Sequence, residues 1–146
     1  MPIPRGYARL RAPTSCSRRT PTPTTTTTVA IAVAGVATAA VTSTATSSAI
    51  DLLEYDGDVM LILDSAAGGG SSPTLDIKIT ESDASGGTYT DLSGATFTQV
   101  TGSASMQTLA INKDECKRFI KIVQTIGGSS PTFTFSINLV GLKKYG

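Results

Sequence analysis

Hydrophobic and polar positions alternate along most of the second two-thirds of the chain. Phe133, Phe135, Ile137 and Leu139 alternate with Thr134, Ser136 and Asn138, and Leu75, Ile77 and Ile79 alternate with Asp76, Lys78 and Thr80. Successive side chains of a strand point to opposite faces, so a period of two marks strands buried on one side. Residues 59–63 (Val-Met-Leu-Ile-Leu) are apolar at every position, the pattern of a strand covered on both faces. Residues 118–123 form a further candidate strand, with shorter ones around 97–100 and 106–111. No long segment carries a 3.6-residue apolar period, and Gly, Ser, Thr, Asp and Asn punctuate the runs. At most one turn of helix fits residues 113–116. The pattern predicts an all-β fold: an antiparallel, jelly-roll-like β-sandwich over residues 49–146, preceded by an extended arm over residues 1–48.

An internal echo adds detail. Gly69-Gly70-Ser71-Ser72-Pro73-Thr74 recurs as Gly127-Gly128-Ser129-Ser130-Pro131-Thr132, each copy after an apolar run and before an alternating one. Read locally, each copy is a flexible turn between a strand and its return strand, with Pro where its missing N–H does no harm. Two similar hairpins would then form two comparable corners of the sandwich.

The arm has a different composition. Residues 20–28 are Thr and Pro only; proline fixes φ and a run of threonines is stiff at χ1, so this stretch favours extended chain. Residues 29–41 are small and apolar, too short a run to span a bilayer, which takes about 20 residues. The run resembles the hydrophobic stretch of a signal peptide, but the long Thr-rich approach to it is foreign to one. It reads better as a strand or clamp segment packed on a neighbouring surface.

Charge sharpens the division. Net charge is +1, but residues 1–50 hold five arginines (Arg5, Arg9, Arg11, Arg18, Arg19) and no acid, whereas residues 51–146 hold seven basic and eleven acidic residues. A basic arm on an acidic body marks an interaction tail. The chain has no His and no Trp. Without His the usual general base and the commonest metal ligand are missing, which excludes Ser-His-Asp and Cys-His catalysis and His-containing zinc sites. Two cysteines, Cys16 and Cys116, build neither a Cys₄ site nor a disulfide framework, and free thiols are the simpler reading.

The remaining chemistry-bearing clusters have plain readings. Asp51, Glu54, Asp56 and Asp58 lack the twelve-residue spacing of a calcium loop and read as a solvated turn around Gly57. Glu81, Asp83 and Asp91 read the same way. A carboxylate pair for glycoside hydrolysis would need an aromatic-lined cleft, whereas the aromatic residues here lie in strand patterns. The Gly-rich stretches lack the Gly-Lys-Ser/Thr ending of a phosphate loop. No catalytic residue, metal site or cofactor is expected. The arginines suit nucleic-acid phosphate in principle, but Tyr7 is the sole aromatic among them, so base stacking has no support. An acidic protein lattice accounts for the arginines, the Thr-Pro spacer and the apolar segment together. Fully extended, residues 1–45 reach about 140 Å at roughly 3.1–3.3 Å per residue.

From about Leu52 to Tyr145 the chain resembles the small β-sandwich head decoration, or cement, proteins of tailed bacteriophages. The likeness is carried by Tyr55-Asp56-Gly57-Asp58-Val59 leading to Leu63-Asp64-Ser65, and by residues 75–83. It continues through Tyr89-Thr90-Asp91, Phe97-Thr98-Gln99-Val100, Arg118-Phe119-Ile120-Lys121 and residues 140–145. The resemblance implies a non-enzymatic virion protein on the capsid surface, assembled in the host cytoplasm, often as a trimer, with the major capsid protein as partner and no membrane contact. The expected capsid-binding residues of the arm are Arg5, Arg9, Arg11, Arg18, Arg19, Val29, Ile31 and Val33, chosen on composition alone. A tail or head–tail connector component and a secreted adhesive or carbohydrate-binding sandwich are the competing readings.

Overall fold

A computed structural model describes residues 29–32 and 40–144 of the chain. The described residues form an all-β fold with no α-helix, as the alternation predicts. The strands are β1 (Val29–Ala32), β2 (Ala40–Val41), β3 (Ala45–Thr46), β4 (Ile50–Asp51), β5 (Tyr55–Ser65), β6 (Gly69–Ser82), β7 (Thr90–Thr96), β8 (Ser105–Asn112) and β9 (Phe119–Lys143). Two short 3₁₀ turns, Leu52–Glu54 and Lys113–Glu115, complete the described elements; the second coincides with the one helical turn expected. Every ladder is antiparallel.

The architecture is organised by β9, which belongs to both halves of the sandwich. Its second half pairs with β5 on one edge and β1 on the other, as in Leu139 opposite both Leu61 and Ala32. Its first half pairs with β6 and with β3 and β4, as in Gln124 opposite both Ile77 and Ala45. Strand β8 extends the first sheet beyond β5, and β7 extends the second beyond β6. The two sheets are therefore β1-β9-β5-β8 and β3/β4-β9-β6-β7. They curl towards closure where β7 leads into β8. There Val100 bridges to Leu75, and the Gln107 side chain takes the place of a strand partner for Thr98. Its Oε1 accepts the Thr98 N–H at 2.7 Å and its Nε2 donates to the Thr98 carbonyl at 2.8 Å.

The Gly-Gly-Ser-Ser-Pro-Thr repeats differ from the expected hairpin corners. Both copies lie inside long strands, and they pair with each other. Gly69 faces Thr132 and Thr74 faces Gly127, so the first residue of each copy sits opposite the last of the other. Gly70, Ser72, Gly128 and Ser130 all have left-handed backbones, and the ladder shifts register between them. The crossing is thus a local two-fold axis that exchanges β6 with the second half of β9, and β5 with the first half. Local reading fails here because a Gly/Ser/Pro run is equally compatible with a turn and with a paired double bulge. A β-bulge inserts an extra residue and resets which side faces inward. Accordingly Ile120, Ile122 and Gln124 are buried before the crossing, and Phe133, Phe135, Ile137 and Leu139 after it.

The core lies between the sheets. One buried cluster joins Val59, Leu61 and Leu63 with Leu75, Ile77 and Ile79, and includes Leu52, Tyr55, Phe97 and Phe133. Residues 59–63 correct the expectation of a strand covered on both faces: Met60 is 43% exposed and Ile62 is half-buried on the outer side. No buried side-chain nitrogen or oxygen lacks a hydrogen-bond partner among the described residues.

Candidate interaction site

The arm is the segment singled out by sequence, and its described part lies along the edge of β9. Val29 and Ile31 pair with Leu142 and Val140 of the same chain. Further on, the arm is held by short side chains as much as by backbone. Ser47 donates its N–H to the Ile122 carbonyl, and its Oγ accepts the Ile122 N–H, both at 2.9 Å. Thr44 Oγ1 accepts the Ile126 N–H at 3.2 Å, and buried Gln124 donates from Nε2 to the Ser43 carbonyl at 3.4 Å. Ser and Thr oxygens compete readily for backbone donors, so a Ser/Thr-rich edge can follow a bent strand where a regular ladder would break. The run of Ser and Thr over residues 42–48 was the available signal for this role. Arg5, Arg9, Arg11, Arg18, Arg19 and Val33 lie outside the described residues, as does Cys16.

Five of the eleven acidic residues pair with cations, and Glu81 accepts a backbone N–H. Asp51 does two things. Its Oδ1 accepts the Leu53 N–H at 2.9 Å and caps the 3₁₀ turn, while both carboxylate oxygens receive Arg118, the shortest contact being 2.7 Å. The bond from Arg118 is the main reason the Asp51 carboxyl is held below its ordinary range. Arg118 also lies over the Phe119 ring, 4.7 Å from its centre. Glu54 meets Lys143 at 3.6 Å, Asp91 meets Lys78 at 2.9 Å, and Glu81 Oε2 accepts the Lys117 N–H at 2.9 Å. Gly57, expected to make a tight turn, instead sits at a bulge within β5, with φ 66°. No group of three His, Cys, Asp or Glu side chains is placed to hold a metal ion among the described residues. Burial, seconded by the Glu81 carboxylate, pushes the half-buried Cys116 thiol upward, which lowers its reactivity.

The surface feature that sequence reading missed is the outer face of the first sheet. Met106 is 74% exposed, Leu142 49% and Met60 43%. Strand register brings two of them together: Met60 lies between Ala110 and Val140, and Leu142 follows two residues along β9, whereas Met106 lies opposite Asp64 further along β8. Beside Met60 and Leu142 runs an open groove of about 260 Å³ lined by Asp58, Met60, Ala110, Val140 and Leu142. The outer face of the second sheet is more polar, carrying Asp76, Lys78, Lys121 and Thr125 beside half-buried Val123 and Phe119. Reading Met60 and Ile62 as doubly covered concealed this asymmetry.

No helix among the described residues is long and apolar enough to cross a membrane. No protein-family profile matches the chain, and no curated protein matches it either.

Proposed function

We propose that the protein is a non-enzymatic structural component of a virion, a capsid decoration protein that stabilises the head shell. In this reading the body sits on the shell as a homo-oligomer, a trimer on the pattern of the proteins it resembles. The basic N-terminal segment clamps neighbouring subunits of the major capsid protein. One observation supports the reading: an acid-free, arginine-bearing segment is joined to a sandwich that carries all eleven of the chain's carboxylates, five of them in internal ion pairs. Such a body offers little chemistry of its own but a firm anchorage for an arm, and arms acting from many copies multiply a weak attachment into a strong one.

Co-sedimentation with capsids tests it. Strands β1 to β4 complete both sheets, so the informative deletion removes residues 1–28 and leaves Val29 onwards. The full chain is expected to pellet with shells in hundreds of copies per particle, and the deletion variant to stay in the supernatant. Failure of the full chain to bind would overturn the decoration role. Binding undiminished by the deletion would overturn the role of the arm. A dozen copies at one vertex would move the protein to the connector class.

A further inference from the structure

We infer that the apolar groove on the outer face of the first sheet is the docking site of the chain's own basic N-terminal segment, residues 1–28. Three observations converge on that occupant.

The first is where the segment joins the body. Residues 1–28 lead into Val29, which pairs with Leu142, and Leu142 lines the groove. From β1 the groove crosses β9 and β5 to β8, three strand spacings or about 14 Å. Arg19 lies ten residues before Val29, a reach of about 33 Å at roughly 3.3 Å per residue, so the basic stretch can lie anywhere across the face.

The second is charge. Asp58 lines the groove, and Asp56 sits opposite Leu142. Neither is ion-paired among the described residues. An apolar floor with carboxylates at one end complements a segment that holds five arginines, no acid, and Met1, Ile3, Tyr7 and Leu10 as its bulky apolar groups.

The third is the contrast between the two outer faces. The second sheet presents Asp76, Lys78, Lys121 and Thr125 outward, with half-buried Val123 and Phe119 among them. The first presents Met60, Ala110, Val140 and Leu142 side by side, and a contiguous apolar patch of this kind marks an interaction surface.

The free protein then stows its arm across the face of its own sandwich, and engaging a partner with the arm uncovers the groove. This inference does not rest on the virion reading and is tested without shells. Cys16 lies three residues from Arg19 and supplies a natural reporter. The full-length chain carrying Cys116→Ser and Met60→Cys is oxidised at low protein concentration. The expected product is an intrachain disulfide from Cys16 to the thiol at position 60. It should form at least about tenfold faster than in a Cys116→Ser, Thr125→Cys control, and more slowly at high salt. Equal rates at the two positions would overturn the inference. So would exclusively interchain disulfides, which would place the arm on a neighbouring copy. Should Met60→Cys not fold, hydrogen peroxide footprinting of the unaltered chain gives the same reading. Met60 is then expected to oxidise more slowly than Met106 at low salt and to lose that protection at high salt. Protection absent at low salt, or unchanged by salt, would overturn the inference.

Discussion

Four residues at the crossing hold left-handed backbones, and they are not equivalent. A Cβ on Gly70 would come within 2.5 Å of the Ser130 carbonyl oxygen, and one on Gly128 within 2.7 Å of the Ser72 carbonyl oxygen. Both contacts are with backbone, which cannot swing aside. Gly70→Ala and Gly128→Ala are each expected to destabilise by about 2–4 kcal/mol in urea denaturation, more than an ordinary surface change. The double variant should depart from additivity, because each glycine meets the other copy of the repeat. Ser72 and Ser130 pay a left-handed penalty without such crowding; Ser72→Gly and Ser130→Gly should change stability by less than about 1 kcal/mol. At the N-terminal end of β9 the Asp51–Arg118 pair sets an acid dependence. The folded Asp51 carboxyl lies below its unfolded value, so its contribution is present above the unfolded value and is lost as pH falls through the folded one. Stability should decline below about pH 4, and Asp51→Asn should lower stability at neutral pH while flattening that decline.

Strands that alternate cleanly were legible in the sequence at the level of the element. Leu75, Ile77 and Ile79, and the run from Phe133 to Leu139, face the core as their period of two requires. What alternation could not supply was continuity. Residues 118–123 and 133–139 read as two strands because their buried positions are out of phase, and the bulges that reconcile them fall in a stretch whose composition signals a turn. The pairing of the two repeats is non-local, so no window of sequence contains it. The groove escaped for a related reason. A run of five apolar residues looks doubly covered, and only the placement of β8 and β9 beside β5 shows that Met60 faces outward. The arm was recognisable by composition, but its attachment through Ser43, Thr44 and Ser47 depends on where β9 bends. Within the core, Phe135→Ala should cost about 3–5 kcal/mol, since a fully buried ring leaves a cavity that a two-sheet frame cannot close.

The molecule as a whole divides between what the fold needs and what the fold carries. Strands β1 to β4 edge both sheets, and residues 1–28 precede them. Removing residues 1–28 should therefore leave the thermal midpoint within a few degrees of the full chain, whereas removing residues 1–51 should lower it sharply or abolish folding, as calorimetry would read. The deeper consequence lies in β9. Each sheet borrows half of the same strand, so neither can assemble, fray or melt without withdrawing a partner from the other. The protein is one cooperative unit despite its two layers, and its hydrogen exchange should report a single global opening for core amides of both sheets. Because nearly all of its pairing joins residues far apart in the chain, folding should be slow for a body of this size, in the range of milliseconds to seconds. A protein made this way has no half-open state in which to be caught: under mechanical load it holds entire or it is lost entire.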